Sequence, residues 1–219
     1  MNYRDTYRHK GLRKKLAAIL YEKGIRDKNV LSAIEDIPRH FFLEKAFEDW
    51  AYQDKAFPIG NDQTISHPYT VAYQTELLNI KKREKVMEVG TGSGYQAAVL
   101  SYLGARVYTI ERQEDLHFKS QKILKSMGFE GIRYYFRDGY KGLPEFAPFD
   151  KIIVTAGAKE VPEALQKQLT IGGFLVIPVG DDKDQQMLKI TRISETTFQK
   201  ETLDTFRFVP FLKGLNRRE

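Results

Sequence analysis

The sequence predicts a doubly wound, mostly parallel α/β sheet of seven strands, preceded by a helical N-terminal extension. Three observations predict it. From about residue 85, apolar stretches of strand length alternate with helix-like stretches, the pattern of a parallel sheet with helices on both faces. The first such strand runs into Val86-Met87-Glu88-Val89-Gly90-Thr91-Gly92-Ser93-Gly94-Tyr95, with glycine at every second position of the turn. Polar residues, Glu111 and then Asp138-Gly139, end the next two strands, where open parallel sheets bind ligands.

Taken in order, Leu12, Leu16, Ile19 and Leu20 recur at helical spacing. Val30, Leu31, Ile34 and Ile37 mark a second, shorter helix, with Asp27 or Asn29 as its cap and Pro38 as its stop. Residues 1–80 thus read as a helical, loop-rich cover over a core at 81–219, the whole being one domain. Strands are predicted at 85–89, 106–110, 132–136, 150–155, 173–178, 186–193 and 203–209, and helices at 94–103, 114–127 and 161–169. Residues 216–219 read as a frayed tail.

The glycines let the backbone turn sharply and approach a ligand, and the helix N-terminus behind them favours polar groups. The spacing is G-x-G-x-G; the dinucleotide fingerprint has its third glycine one place later, where Tyr95 stands. Glu111 lies about twenty residues past the loop, where a carboxylate can accept from both hydroxyls of a ribose. Asp138 is placed to accept from an adenine amino group. Loop and carboxylate together indicate a nucleoside, and the short spacing favours S-adenosylmethionine over NAD.

Composition narrows the classes further. With 42% hydrophobic and 29% charged residues, the chain reads as a globular fold, and it has no apolar run of membrane-spanning length. Cys is 0, which excludes disulfides, thiolate metal sites and a Cys nucleophile and suits the cytoplasm. The net charge of +6 arises entirely in residues 1–28, whose nine basic and three acidic side chains read as the solvated face of a helix. His9, His40 and His117 stand apart in sequence with no metal-ligand spacing, so no metal is expected.

More specific segments surround this pattern. Before the glycine loop come Pro38-Arg39, Phe42, Ala51-Tyr52, Asp54 and Pro58-Ile59-Gly60, then Gln63-Thr64-Ile65-Ser66-His67-Pro68-Tyr69-Thr70-Val71-Ala72. After it come Tyr95-Gln96-Ala97-Ala98, Val107 through Arg112, Ala147 through Ala156, Gly172-Gly173 and Pro178-Val179-Gly180. The chain closes with Phe206-Arg207-Phe208-Val209-Pro210-Phe211. From about Leu12 to Gly214 the chain resembles the protein-L-isoaspartate O-methyltransferases, which repair damaged aspartyl residues. The Ser66 segment and the Phe208-Val209-Pro210 ending are the most specific features. His67 stands where the family pattern has Ala or Gln, and Arg137 where it often has Gly.

The resemblance implies a seven-stranded methyltransferase sheet whose edge order departs from the commoner pattern. It implies S-adenosylmethionine held by Thr64, Glu88, Gly90, Thr91, Gly92, Ser93, Glu111, Asp138 and Gly139. It implies Ser66 as the central polar residue between cofactor and substrate, with Val209 and Pro210 beside an extended peptide as in strand addition. The expected partners are isoaspartyl-containing proteins, met by a monomer in the cytoplasm, with no nucleic acid and no membrane. The expected nucleophile, a carboxylate of pKa roughly 4, is already ionised at neutral pH and needs no general base. Two other readings remain: a methyltransferase acting on RNA or DNA, favoured by the basic N-terminus, and a non-catalytic nucleoside-binding module. No N-P-P-Y-type segment and no Cys supports the first, and the intact loop, Glu111 and Ser66 argue against the second.

Overall fold

The computed structural model describes residues 4–181 and 183–217. Helix α1 (Tyr7–Glu22) begins at Thr6, whose hydroxyl accepts the His9 N–H while the His9 ring accepts the Thr6 N–H. This reciprocal cap satisfies two otherwise orphaned donors. Helix α2 (Lys28–Asp36) is capped by Asp27, as its sequence predicts. A two-stranded hairpin follows, β1 (Phe57–Gly60) and β2 (Gln63–Ile65), joined by Asn61 and Asp62 at φ 53 and φ 56. Helix α3 (Pro68–Leu78) starts with proline at its first turn and ends at Asn79 in the left-handed conformation. Neither the hairpin nor α3 is anticipated by the periodicity.

The main sheet comprises β3 (Lys85–Val89), β4 (Arg106–Glu111), β5 (Arg133–Phe136), β6 (Phe149–Val154), β7 (Leu169–Gly180), β8 (Gln185–Arg192) and β9 (Phe198–Phe206). Helices α4 (Tyr95–Tyr102), α5 (Glu114–Ser126) and α6 (Glu163–Lys167) connect them. The strand order is β5-β4-β3-β6-β7-β8-β9, parallel through β7 and antiparallel beyond it. The last three strands thus pair in chain order, with β9 at the edge.

Alternate residues of the central strands feed two apolar layers. Val86, Ile153 and Val176 join one, while Met87, Ile152, Val154, Leu175 and Ile177 join the other. Burial on both faces explains why these strands read as continuous apolar runs. The expected wrapping is unequal. Helices α1 to α5 contribute to the first layer, and of the helices only the short α6 contributes to the second, through Leu165. Ile19, assigned to the apolar stripe of α1, is 44% exposed, whereas Leu16 and Leu20 are buried.

Two boundaries move for physical reasons. The predicted helix 161–169 shortens to five residues because Leu169 already pairs with Phe149 in the sheet. The last strand, expected at 203–209, lies at Phe198–Phe206, because its ladder follows β8 back to Arg192. Residues 207–211 leave the sheet; Pro210, lacking an N–H, cannot continue a ladder. Asn216 is no frayed end: its N–H donates to the Arg112 carbonyl at 2.9 Å and its carbonyl accepts from Glu114 N–H at 3.0 Å. Arg218 and Glu219 lie outside the described residues.

Candidate active site

Successive strands are added on one side of β3 up to β5 and on its other side from β6 onward, and a cleft opens at the carboxyl ends of the parallel neighbours β3 and β6. Its floor is the glycine loop. Gly90, Gly92 and Gly94 have φ of 98°, 52° and 91°, a region that favours glycine. A Cβ at Gly90 would lie 2.5 Å from Thr155 Oγ1, which donates to the Gly90 carbonyl at 2.7 Å. The N–H groups of Gly90 and Thr91 both donate to the Ile110 carbonyl, at 2.9 and 3.1 Å, tying the loop to β4.

Glu111 is buried at the end of β4. One carboxylate oxygen accepts the Gly92 N–H at 2.8 Å; the other accepts those of Arg112 and Gln113 at 2.8 and 2.9 Å. Burial raises its pKa, and these three donors oppose that shift. A carboxylate offers about four acceptor positions. Three backbone donors occupy part of that capacity, and the rest is available to a sugar hydroxyl in the cleft.

Thr64, Ser66, Gly90, Thr91, Gly92, Ser93, Glu111, Gly139, Val209 and Pro210 all line the cleft. Two expected ligand residues do not. Glu88, fully buried beneath the loop, accepts a hydrogen bond from Thr109 Oγ1 at 2.5 Å, and that hydroxyl in turn meets Thr91 Oγ1. Burial lifts its carboxyl to about 8, so it is neutral at pH 7 and acts through the two threonines. Asp138 accepts the Tyr140 N–H at 3.0 Å on one oxygen and the Gly214 N–H at 2.9 Å on the other. Its carboxylate anchors the chain's end, and it is the backbone of neighbouring Gly139 that reaches the cleft. A Cβ there would lie 2.4 Å from Val89 Cγ1 and 3.1 Å from Phe211 Cε2. Arg137 turns away to ion-pair with Glu145.

Ser66 follows the hairpin and precedes α3. It borders the cleft and also a smaller pocket of about 290 Å³ lined by Ala56, Thr64, His67, Thr70, Thr155 and Val209, among others. The two spaces meet along Thr64, Ser66, Thr155 and Val209. Burial lowers the His67 pKa, leaving the ring neutral at pH 7. The expected strand addition at Val209 and Pro210 is restricted. The Val209 carbonyl accepts from Gly157 N–H at 2.8 Å, and Phe211 N–H donates to Gly157 at 2.7 Å.

Sequence reasoning missed Gln63, Tyr95, Gln96, Gln113, Thr155 and Phe211 as cleft residues. Thr155 ends a predicted strand beside the glycine loop, and Gln63, Tyr95, Gln96 and Phe211 stand in the segments that carry the resemblance, so each had a signal that went unused. Away from the cleft, His9 and His40, set apart in the sequence, stack with ring centres 3.9 Å apart. Asp5 completes a group whose ligand atoms lie within 4.8 Å of one another. Arg13 engages both Asp5 oxygens, at 2.7 and 2.9 Å, which makes the group a hydrogen-bonded clasp on α1.

Residues 11–216 match the family model described as protein-L-isoaspartate(D-aspartate) O-methyltransferase. The chain is 59% identical to a protein-L-isoaspartate O-methyltransferase of Christiangramia forsetii, covering 97% of this chain and 100% of that one. A Flavobacterium psychrophilum protein of the same name is 57% identical with the same coverage. Among solved structures, a protein-L-isoaspartate O-methyltransferase superposes with TM-score 0.82 at 30% identity, over 90% of this chain and 65% of that one. The Plasmodium falciparum β-aspartate methyltransferase, in complex with S-adenosyl-L-homocysteine, gives TM-score 0.81 at 26% identity, over 92% and 98%.

Proposed function

This chain belongs to the protein-L-isoaspartate(D-aspartate) O-methyltransferase family, and from that premise we propose how its residues carry the reaction. It is an enzyme that esterifies the free α-carboxylate of L-isoaspartyl residues in damaged proteins with the methyl group of S-adenosylmethionine. The ester then closes to a succinimide without the enzyme, and hydrolysis of that ring returns some normal aspartate. One observation carries the assignment of roles: Ser66 stands where the glycine-floored cleft meets the smaller pocket.

The residues present fit the cofactor. Gly90 and Gly139 form a bare backbone cradle that a Cβ would disrupt, since it would meet Thr155 Oγ1 at 2.5 Å and Val89 Cγ1 at 2.4 Å, and Glu111 at its side has acceptor capacity for a sugar hydroxyl. When bound, S-adenosylmethionine supplies an electrophilic methyl group. Everything else falls to the protein. The substrate carboxylate arrives ionised, so no residue has to remove a proton. The Ser66 hydroxyl donates to one carboxylate oxygen and leaves the other to attack. Val209, Pro210 and Phe211 wall the junction against water, and the Pro210 carbonyl meets the peptide backbone. Holding the reactants in line in this way is worth roughly 7–11 kcal/mol of barrier.

With 0 cysteines, the chain suits the reducing cytoplasm. Among the described residues no helix is long and apolar enough to cross a membrane.

The test uses labelled S-adenosylmethionine with one peptide in its isoaspartyl and normal aspartyl forms, alongside tRNA. The expected product is base-labile label on the isoaspartyl peptide, released as methanol. Base-stable label on tRNA alone would establish the competing reading. Ser66→Ala is expected to lose methyl transfer while still binding S-adenosylhomocysteine; wild-type turnover would remove Ser66 from the mechanism.

A further inference from the structure

Arg39 opens the short 3-10 turn Arg39–Phe42 and is 0% exposed. Charged side chains are almost never fully buried unless paired. This one hydrogen-bonds only to backbone carbonyls: Nε to Ala51 at 3.0 Å, and Nη2 to Lys55 at 3.3 Å and Ser66 at 2.9 Å. Nη1 is buried without a hydrogen-bond partner, and the guanidinium lies 5.1 Å from the centre of the Tyr95 ring. Asp54, the acid whose charge Arg39 feels, is engaged elsewhere, by Lys23 Nζ at 2.6 Å and by the Tyr69 N–H at 2.8 Å. Burial pulls the guanidinium down to about 10, so it stays cationic at neutral pH.

A buried cation is a poor device for stability alone, because apolar side chains of similar volume usually serve as well. What distinguishes this one is what it joins. The Ala51, Lys55 and Ser66 carbonyls belong to irregular chain, and the last belongs to the residue at the cleft junction. Tyr95 directly follows Gly94 of the glycine loop. One rigid fork therefore spans the substrate wall and the cofactor floor. Its planar donors fix direction in a way that an ammonium on a flexible stem does not.

We propose that Arg39 is a positioning residue for methyl transfer: by holding the Ser66 carbonyl it sets where the Ser66 hydroxyl points. The proposal rests on the role assigned to Ser66 above. Ser66 lies outside any helix or strand, so no ladder of its own fixes its backbone, and the Arg39 bond to its carbonyl supplies a fixed point for the Cα that carries the hydroxyl. A misplacement of about 1 Å at a reacting centre costs on the order of a hundredfold in rate.

The experiment compares Arg39→Met, Arg39→Lys and Ser66→Ala with the wild type in steady-state methylation of an isoaspartyl peptide. Rates are expressed per S-adenosylhomocysteine-binding site measured by calorimetry, well below each variant's melting temperature. Arg39→Met is expected to lose on the order of a hundredfold in kcat/KM for the peptide, with S-adenosylhomocysteine affinity unchanged. Arg39→Lys is expected to recover part of that loss, mainly in peptide KM, because it keeps the charge without the fork. A purely structural Arg39 would lower the melting temperature yet leave kcat and peptide KM per site at wild-type values, which would overturn the proposal. Should Arg39→Met fail to fold, wild-type kcat per site in Arg39→Lys would overturn it equally. If Ser66→Ala is inactive while folded Arg39 variants are fully active, only the Arg39 proposal fails. If Ser66→Ala is active, the reading of Ser66 itself fails.

Discussion

The Glu111 carboxylate accepts the Gly92 N–H at 2.8 Å, so the end of one core strand grips the loop that ends its neighbour. The sequence suggests a residue waiting for a sugar; the tertiary structure shows one that first builds the cradle. Glu111→Gln removes one anionic acceptor and turns an amide NH₂ toward backbone donors. A hydrogen bond to a charged group is worth about 1.5–3 kcal/mol, and at least that much binding free energy for S-adenosylhomocysteine should be lost. Isothermal titration checks this, and an unchanged Kd would show that Glu111 contributes to neither loop nor ligand.

Glu88 makes stability fall as pH rises from 4.5 towards 8. Burial raises its carboxyl from 4.5 to about 8. Between these values the unfolded chain has released a proton that the folded chain keeps, so stability falls as pH rises. The slope is at most about 1.4 kcal/mol per pH unit. Glu88→Gln should therefore flatten the decline of the urea midpoint between pH 6.5 and 8. A parallel decline in wild type and variant would place the titrating group elsewhere.

His40 acts on the acid side. Its ring meets the Tyr52 hydroxyl, lies 3.3 Å from the Arg4 carbonyl and stacks on His9, with Asp5, Glu48 and Arg13 close by. Burial, reinforced by His9, lowers its pKa from 6.5 to about 4. Here the unfolded chain binds the extra proton, so stability falls as pH drops from 6.5 to 4. Between 4.5 and 6.5 the His40 and Glu88 slopes oppose each other, so the acid loss is clearest in a Glu88→Gln background. Adding His40→Gln there should reduce it, the remainder falling to His67 and His117, whose pKa values burial also lowers; an undiminished slope in urea midpoints at pH 4, 5, 6 and 7 would remove His40 from the account.

The chain's end forms a strap over the cleft. Pro210, Phe211 and Leu212 line the cavity, and Phe211 stacks on Tyr140 at 4.1 Å. Beyond them, Gly214 is held by Asp138 and Arg112, and the Asn216 side chain donates to Gln113 Oε1 at 2.5 Å. Asn216→Ala removes one such bond, worth about 1 kcal/mol, and should speed S-adenosylhomocysteine release roughly fivefold. Deleting residues 214–219 should speed it further. Stopped-flow displacement measures both, and rates equal to wild type would mean the strap does not gate the cofactor.

Periodicity identified the central strands of the main sheet because strands buried on both faces must be apolar almost throughout; it placed the polar edge strand β9 late, at 203–209 rather than Phe198–Phe206. It missed β1 and β2, which have only four and three residues, too few for alternation to show. Their signal lay in the turn, where Asn61 and Asp62 both take the left-handed conformation. It missed α3 although Pro68 opens it and Val71, Ala72, Thr75 and Leu78 are buried, because apolar residues on the remaining positions blur the stripe. In the site, local motifs named the glycine loop and Glu111, while Thr64, Ser66, Val209 and Pro210 came from resemblance. Phe211 and Gln113 escaped although they lie within two residues of Pro210 and Glu111, because the sequence does not say which neighbours of a site residue face the cavity.

The amino-acid sequence by itself determined the sheet, the glycine turn and the chemistry at stake, since these depend on residues that are neighbours along the chain. The meeting of Arg39 with Ser66, the stacking of His9 on His40, and the binding of Gly214 to Asp138 were decided only by the tertiary structure. Each joins groups 27, 31 or 76 residues apart. Such contacts form because a buried polar group must find a partner, and folding decides which partner comes within reach.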